Sequence, residues 1–163
     1  MCCAGDTASL IFDNCNVELS SDLSFTAGSF VINQMVNITG THSFRYQSDQ
    51  QLTITSGATL RMSEITFRYA PAIANRDLIH LVDKNATLML DGCSLDSTIT
   101  GMRLTCGTIL VDQKNYLSNA GATSLSQGFG FGNGNPNDDV DIQIMPGGSL
   151  TVVSGMLDYQ NVN

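Results

Sequence analysis

The sequence has no tryptophan, only three prolines and few charges: Asp, Glu, Lys and Arg together make up 13% of its 163 residues. Scarcity of charge excludes a helical bundle, whose solvent faces would need Glu, Lys and Arg. It excludes disorder as well, because disordered chains combine high net charge with few apolar residues, and here 42% of the residues are hydrophobic. Basic residues are scarcest: 7 Lys and Arg stand against 15 Asp and Glu, for a net charge of −8. With no basic run, binding to nucleic acid or to an anionic membrane is excluded, and the acidity serves solubility. No stretch is long and apolar enough to span a membrane. The opening Met1-Cys2-Cys3-Ala4-Gly5 lacks the basic and apolar regions of a signal peptide.

The cysteines Cys2, Cys3, Cys15, Cys93 and Cys106 are odd in number and show no Cys-x-x-Cys spacing. That is neither a disulfide framework nor a zinc site, and no cofactor or metal is expected. Helix signals are missing too, and the Ser, Thr and β-branched content favours strands.

What is there is a repeat. A small residue, then Ser or Thr, then an apolar-any-apolar triplet occurs at Ala8-Ser9-Leu10-Ile11-Phe12, Gly28-Ser29-Phe30-Val31-Ile32 and Ala58-Thr59-Leu60-Arg61-Met62. It recurs at Ala86-Thr87-Leu88-Met89-Leu90, Gly107-Thr108-Ile109-Leu110-Val111 and Gly148-Ser149-Leu150-Thr151-Val152. Composition alone would produce on the order of 0.5 such matches. A polar break such as Asp13-Asn14 or Asp91-Gly92 follows, then a second apolar pair: Cys15 and Val17, Ile65 and Phe67, Cys93 and Leu95. Residues two apart share one face of a strand, and the break is a turn. A third strand precedes most rungs, as at Leu23 and Phe25, Leu52 and Ile54, Leu78 to Val82, and Met102 and Leu104.

Three strands and three corners per repeat make a triangular coil. The expected fold is all-β: one parallel β-helix (β-solenoid) domain over residues 1–163, with about six coils of some twenty residues. Insertions are expected near 69–77 and 118–139. The long interval between Gly107 and Gly148 admits two coils or one; one is preferred, because strand 140–145 already supplies a third side. A coil cannot bury its own apolar face, so stacking at about 4.8 Å creates the core.

Four features admit chemistry. Cys15 and Cys93 occupy one repeat position, shared with Ile65 and Met35; they read as a redox or metal pair or, better, as small buried corner residues, three rungs apart and beyond disulfide reach. Asp138, Asp139 and Asp141 form the one carboxylate cluster. Paired acids suit glycoside hydrolysis or calcium; the plainer reading is a polar loop returning to a strand, with Asp139 and Asp141 facing solvent. The run from Gly128 to Gly134 lacks the Lys and the helix of a phosphate loop. It reads as a mobile, protruding loop, with Phe129, Phe131, Asn133 and Asn135 as contact residues, or with the two phenylalanines tucked against the prism. His42 and His80 sit in no catalytic motif.

The rungs resemble those of uncharacterised repeat proteins of host-associated intracellular bacteria, of the right-handed parallel β-helix, pectin-lyase-like type. The likeness is strongest from Tyr69-Ala70-Pro71 through Leu78-Ile79-His80-Leu81-Val82-Asp83 to Gly107-Thr108-Ile109-Leu110-Val111-Asp112. It implies a segment of a longer surface or secreted protein, and the expected function is a structural or binding module that presents a polar, Ser/Thr/Asn-rich flank and its two loops to a glycan or a host surface protein. Asp138-Asp139 is similar to the paired aspartates of polygalacturonases, which leaves a polysaccharide hydrolase or lyase as the alternative. The Gly-His-Gly and Arg-Ile-Lys motifs of those enzymes are missing, since His42 follows Thr41 and His80 follows Ile79. Both ends stop at a rung without a capping helix, so end-to-end self-association is expected.

Overall fold

The computed structural model of the chain describes residues 8–97, 100–136 and 138–160. All its regular elements are strands except one 3-10 turn, Leu125–Gln127. The strands wind into six three-sided coils and the first side of a seventh. Coil one is β1 (Ser9–Glu18), which bends across two faces, and β2 (Leu23–Phe25); coil two is β3 (Ser29–Thr39), bent likewise, and β4 (Ser43–Tyr46). Coil three is β5 (Leu52–Ile54), β6 (Thr59–Ser63) and β7 (Thr66–Tyr69); coil four is β8 (Ile79–Leu81), β9 (Thr87–Asp91) and β10 (Ser94–Ser97). Coil five is β11 (Arg103–Leu104), β12 (Gly107–Asp112) and β13 (Lys114–Ser118). Coil six is β14 (Phe129–Phe131), β15 (Val140–Ile144) and β16 (Ser149–Ser154), and β17 (Leu157–Tyr159) opens the next.

Every ladder with a printed register is parallel and joins successive coils. The first face carries the starts of β1 and β3, then β5 and β8, and above them β11, β14 and β17. The second face carries the ends of β1 and β3, then β6, β9, β12 and β15, and the third carries β2, β4, β7, β10, β13 and β16. Alternation inside each strand sends every second side chain inward, so that Val36, Leu60, Leu88 and Ile109 stack as one buried column. Rings fill the lower half. Phe30, Phe44 and Phe67 are 5.7 and 5.4 Å apart between successive centroids, and Tyr46 lies parallel to Tyr69 at 6.5 Å.

The expected solenoid is therefore present, but the phase of the repeat differs from the expectation. The template falls on the first face at Ser9 and Ser29, on the second at Thr59, Thr87 and Thr108, and on the third at Ser149. What it marks is a tight corner entered and left by strands. The corner residue adopts a left-handed conformation at Asn14 (φ 45°) and Gln34 (φ 53°), between the first and second faces. In the higher coils it is Glu64 (φ 60°), Gly92 (φ 69°) and Gln113 (φ 56°), between the second and third. All three faces share one apolar-any-apolar pattern, so the motif carries no label of the face it sits on.

Two expectations fall with the phase. Cys15 stacks under Val36 on the second face, whereas Cys93 opens the third, its amide donating to Asn115 Oδ1 at 2.7 Å; the two do not share a column. Met35 is not an inner corner residue either: one extra residue at the β1–β3 bulge turns it outward, 46% exposed.

In coils two to five the loops that close the third face follow one rule. Its last inward side chain donates a hydrogen bond to a carbonyl of the loop that follows. Tyr46 closes on Gln50, Tyr69 on Asn75, Ser97 on Thr100 and Asn119 on Gln127. The insertion expected at 69–77 is the loop that Tyr69 closes.

Candidate functional site

The expected insertion at 118–139 is broken in the middle by β14. Phe129 and Phe131 are 1% and 3% exposed. They stack inside the first face, and β14 pairs with β11 below and β17 above. The protruding-loop expectation is corrected here, and the glycines explain why. A Cβ on Gly130 would sit 2.9 Å from Arg76 Nη2 and 3.0 Å from Arg103 Cζ. Glycine leaves room for the two guanidinium groups that lie across the strand.

Arg103 crosses Gly130 to reach Asp158 on β17, and also donates to the Gly132 carbonyl. The ion pair is withdrawn from solvent, its side chains 13% and 9% exposed, and Gln160 Nε2 donates to the other Asp158 oxygen at 3.2 Å. Arg76 reaches from loop 70–77 to the Gly128 carbonyl. Burial, and then the charge of Arg103, lower its affinity for its proton. This cluster ties three levels of the first face together.

Asn133 and Asn135, on the rest of the insertion, are exposed. Their amides donate to Asp138 Oδ2 at 3.1 and 2.7 Å. Asp139 and Asp141 flank the inward Val140 on the solvent side of β15, and Gln143 donates to Asp141 at 2.5 Å. The structure thus joins Asp138 to Asn133 and Asn135, leaves Asp139 and Asp141 exposed to solvent, and separates all of them from the buried Phe129 and Phe131. A cavity of about 340 Å³ lies elsewhere, at coil one, among Leu10, Phe12, Val17, Leu23, Phe25 and Phe30. Among the described residues no three His, Cys, Asp or Glu side chains converge as a metal set.

The polar flank expected from the sequence is not assigned to a face there; the outer side of the third face carries one. Two straight polar rows run up it. Ser43, Thr66, Ser94, Tyr116 and Thr151 form one. The other is Ser24, Arg45, Arg68, Asp96, Ser118 and Ser154. Successive members are one rung apart, about 4.8 Å. Arg68 Nε donates to Asp96 at 3.1 Å, and Tyr116 is 41% exposed. The signal was available in sequence, since the residues between the inward pairs are hydroxylic or charged on this face in every coil. The second face is less uniform, with Met89 and Leu110 in its central outer row.

One polar group is buried at the second corner. Asp91, its side chain 1% exposed, accepts from Arg61, from Ser63 Oγ at 2.9 Å and from Gln113 Nε2 at 2.6 Å. Burial pushes its carboxyl up, but the bonds from Arg61, Ser63 and Gln113 outweigh that and hold it below the ordinary value. Burial pushes the Cys93 and Cys106 thiols up, away from the reactive thiolate.

No family model, no curated protein and no solved structure matches this chain.

Proposed function

We propose that the chain is a structural and binding module whose third face meets a glycan of a host surface, as part of a surface or secreted bacterial protein of the pectin-lyase-like β-helix type. The ladder of hydroxyl, guanidinium and phenol groups from β2 to β16 carries this reading. A rigid sheet holds donors and acceptors at a fixed repeat with little ordering cost on binding. Tyr116 and Arg45 supply a ring and a charged fork. The source and the glycan rest on the resemblance of the rungs, and a host surface protein is the other partner that resemblance suggests.

The hydrolase or lyase alternative draws less support. Asp138 is engaged by two asparagines, and the cavity lies at the far end of the stack from the carboxylates. The test is a glycan array probed with the chain and with Arg45→Ala and Tyr116→Ala. Binding that falls at least about tenfold in both variants is expected, from loss of about 1.4 kcal/mol or more. Binding unchanged in both would overturn the assignment of the third face. New reducing ends or unsaturated product from polygalacturonate, lost in Asp139→Asn, would favour the enzyme.

A further inference from the structure

Arg76 is a half-buried cation without a counter-ion. Its guanidinium makes one hydrogen bond, from Nη2 to the Gly128 carbonyl, and its Nε is buried and unpartnered. Among the described residues no carboxylate forms an ion pair with it: Asp158 is held by Arg103, and the neighbouring Asp77 is exposed. Charges withdrawn from water are ordinarily paired, because lost solvation must be replaced by an opposite charge.

Arg103 deepens the shortage. Both guanidinium groups reach one spot on the outer side of the first face, where a Cβ on Gly130 would lie 2.9 Å from Arg76 Nη2 and 3.1 Å from Arg103 Nε. Two positive charges therefore share a single carboxylate in a chain whose net charge is −8. Nη1 and Nη2 of Arg103 donate to the Gly132 carbonyl and to Asp158. Nε of Arg103 and Nη1 of Arg76 make no hydrogen bond, and neither is sealed from solvent. A strap that only tied loop 70–77 to β14 would need one neutral donor for the Gly128 carbonyl. A second guanidinium beside Arg103 instead adds repulsion between like charges.

We infer that Arg76 and Arg103 form a binding site for an oxyanion, a carboxylate, sulfate or phosphate group, over Gly130 on the first face. The anion accepts from Nη1 of Arg76 and Nε of Arg103, while Asp158 holds Arg103 in place. Guanidinium groups match such anions in shape and charge, and the missing side chain at Gly130 leaves the space open. The site lies apart from the polar rows of the third face, so it stands whether or not that face meets a glycan.

A nuclear magnetic resonance titration of the full chain tests it, with sodium phosphate and, separately, sodium acetate, at an ionic strength fixed by sodium chloride. The Arg76 and Arg103 Nε–H signals and the Gly130 amide should shift and saturate. Two charge-assisted hydrogen bonds place half-saturation on the order of 1 mM. A response to phosphate alone assigns a tetrahedral anion, and a response to acetate alone assigns a carboxylate; either supports the site. Arg76→Gln keeps a donor for the Gly128 carbonyl and should weaken binding at least about tenfold. Its amide signals outside loop 70–77 and β14 should match those of the native chain, which separates lost binding from lost folding. Arg76→Lys keeps the charge without the fork and should lose less than Arg76→Gln. Shifts that never saturate, that spread along the chain, or that persist at equal strength in Arg76→Gln would overturn the inference.

Discussion

The lower and upper halves of this solenoid fill the same triangular section with different chemistry. In coils one to three the inner columns are rings: Phe12, Phe30, Phe44 and Phe67 touch in sequence, and Tyr46 and Tyr69 stack beneath the third-face loops. In coils four to six the tyrosine column gives way to polar groups, while Leu95 and Leu117 continue the column of Phe67, and Phe129 and Phe131 lie inside the first face. Ser97 and Asn119 end the third face where Tyr46 and Tyr69 do below, and Asn115, fully buried, continues the column of Ile65 and Cys93. Asn115 Nδ2 donates to the Asp112 carbonyl at 2.6 Å while Oδ1 takes the Cys93 amide. The Arg103–Asp158 pair then locks the upper first face. Burial of rings is tolerant of geometry, whereas a buried polar group holds only if its partners stay in place. The lower half therefore specifies stability, and the upper half specifies register.

The largest effect that would break this contrast comes from its two centres. Phe67→Ala should cost about 3–5 kcal/mol and lower the urea midpoint of the whole chain, because the ring joins Phe44 to the columns above. Arg103→Ala should cost about 3–5 kcal/mol by leaving Asp158 buried and unpaired, with the loss confined to β11, β14 and β17. Denaturation followed by circular dichroism gives the totals.

Acid sharpens the comparison at an intermediate scale. Asp91 has a folded-state affinity for protons below its ordinary one. Its contribution is complete above the ordinary carboxylate range, near 4, and is lost as the pH falls through its lowered value. Asp91→Asn should thus be less stable than the native chain by about 1–3 kcal/mol at neutral pH. The gap should close toward pH 2, as urea midpoints taken across that range would reveal. The smallest effect is Tyr69→Phe. It keeps the ring and removes the hydroxyl that closes loop 70–77 on Asn75, for about 1 kcal/mol. Proteolytic nicking in that loop, with an unchanged urea midpoint slope, would record it.

Much of this fold was legible in sequence, for a physical reason. Stacked coils impose one period on apolar pairs, and Leu60 with Met62 or Leu88 with Leu90 show it without knowledge of any neighbour. The phase was not legible, because Leu10 and Phe12 on the first face look like Leu60 and Met62 on the second. A face is defined only by what stacks on it. The glycine run misled for a related reason. Gly130 reads as freedom when seen alone, and becomes a site of close packing once Arg76 and Arg103, far away in sequence, lie across it. At the carboxylates, local reasoning sufficed: Asp139 and Asp141 alternate with Val140 and lie on the solvent side of β15. The polar rows of the third face were present in the sequence, but as rows they exist only after stacking.

Amide hydrogen exchange on the native chain and on Arg103→Ala tests the division into halves most directly. Protection should fall across β11, β14, β17 and the coil that joins them, while β3 to β8 keep theirs. Uniform loss of protection along the chain, or loss that begins in β3 to β8, would contradict it.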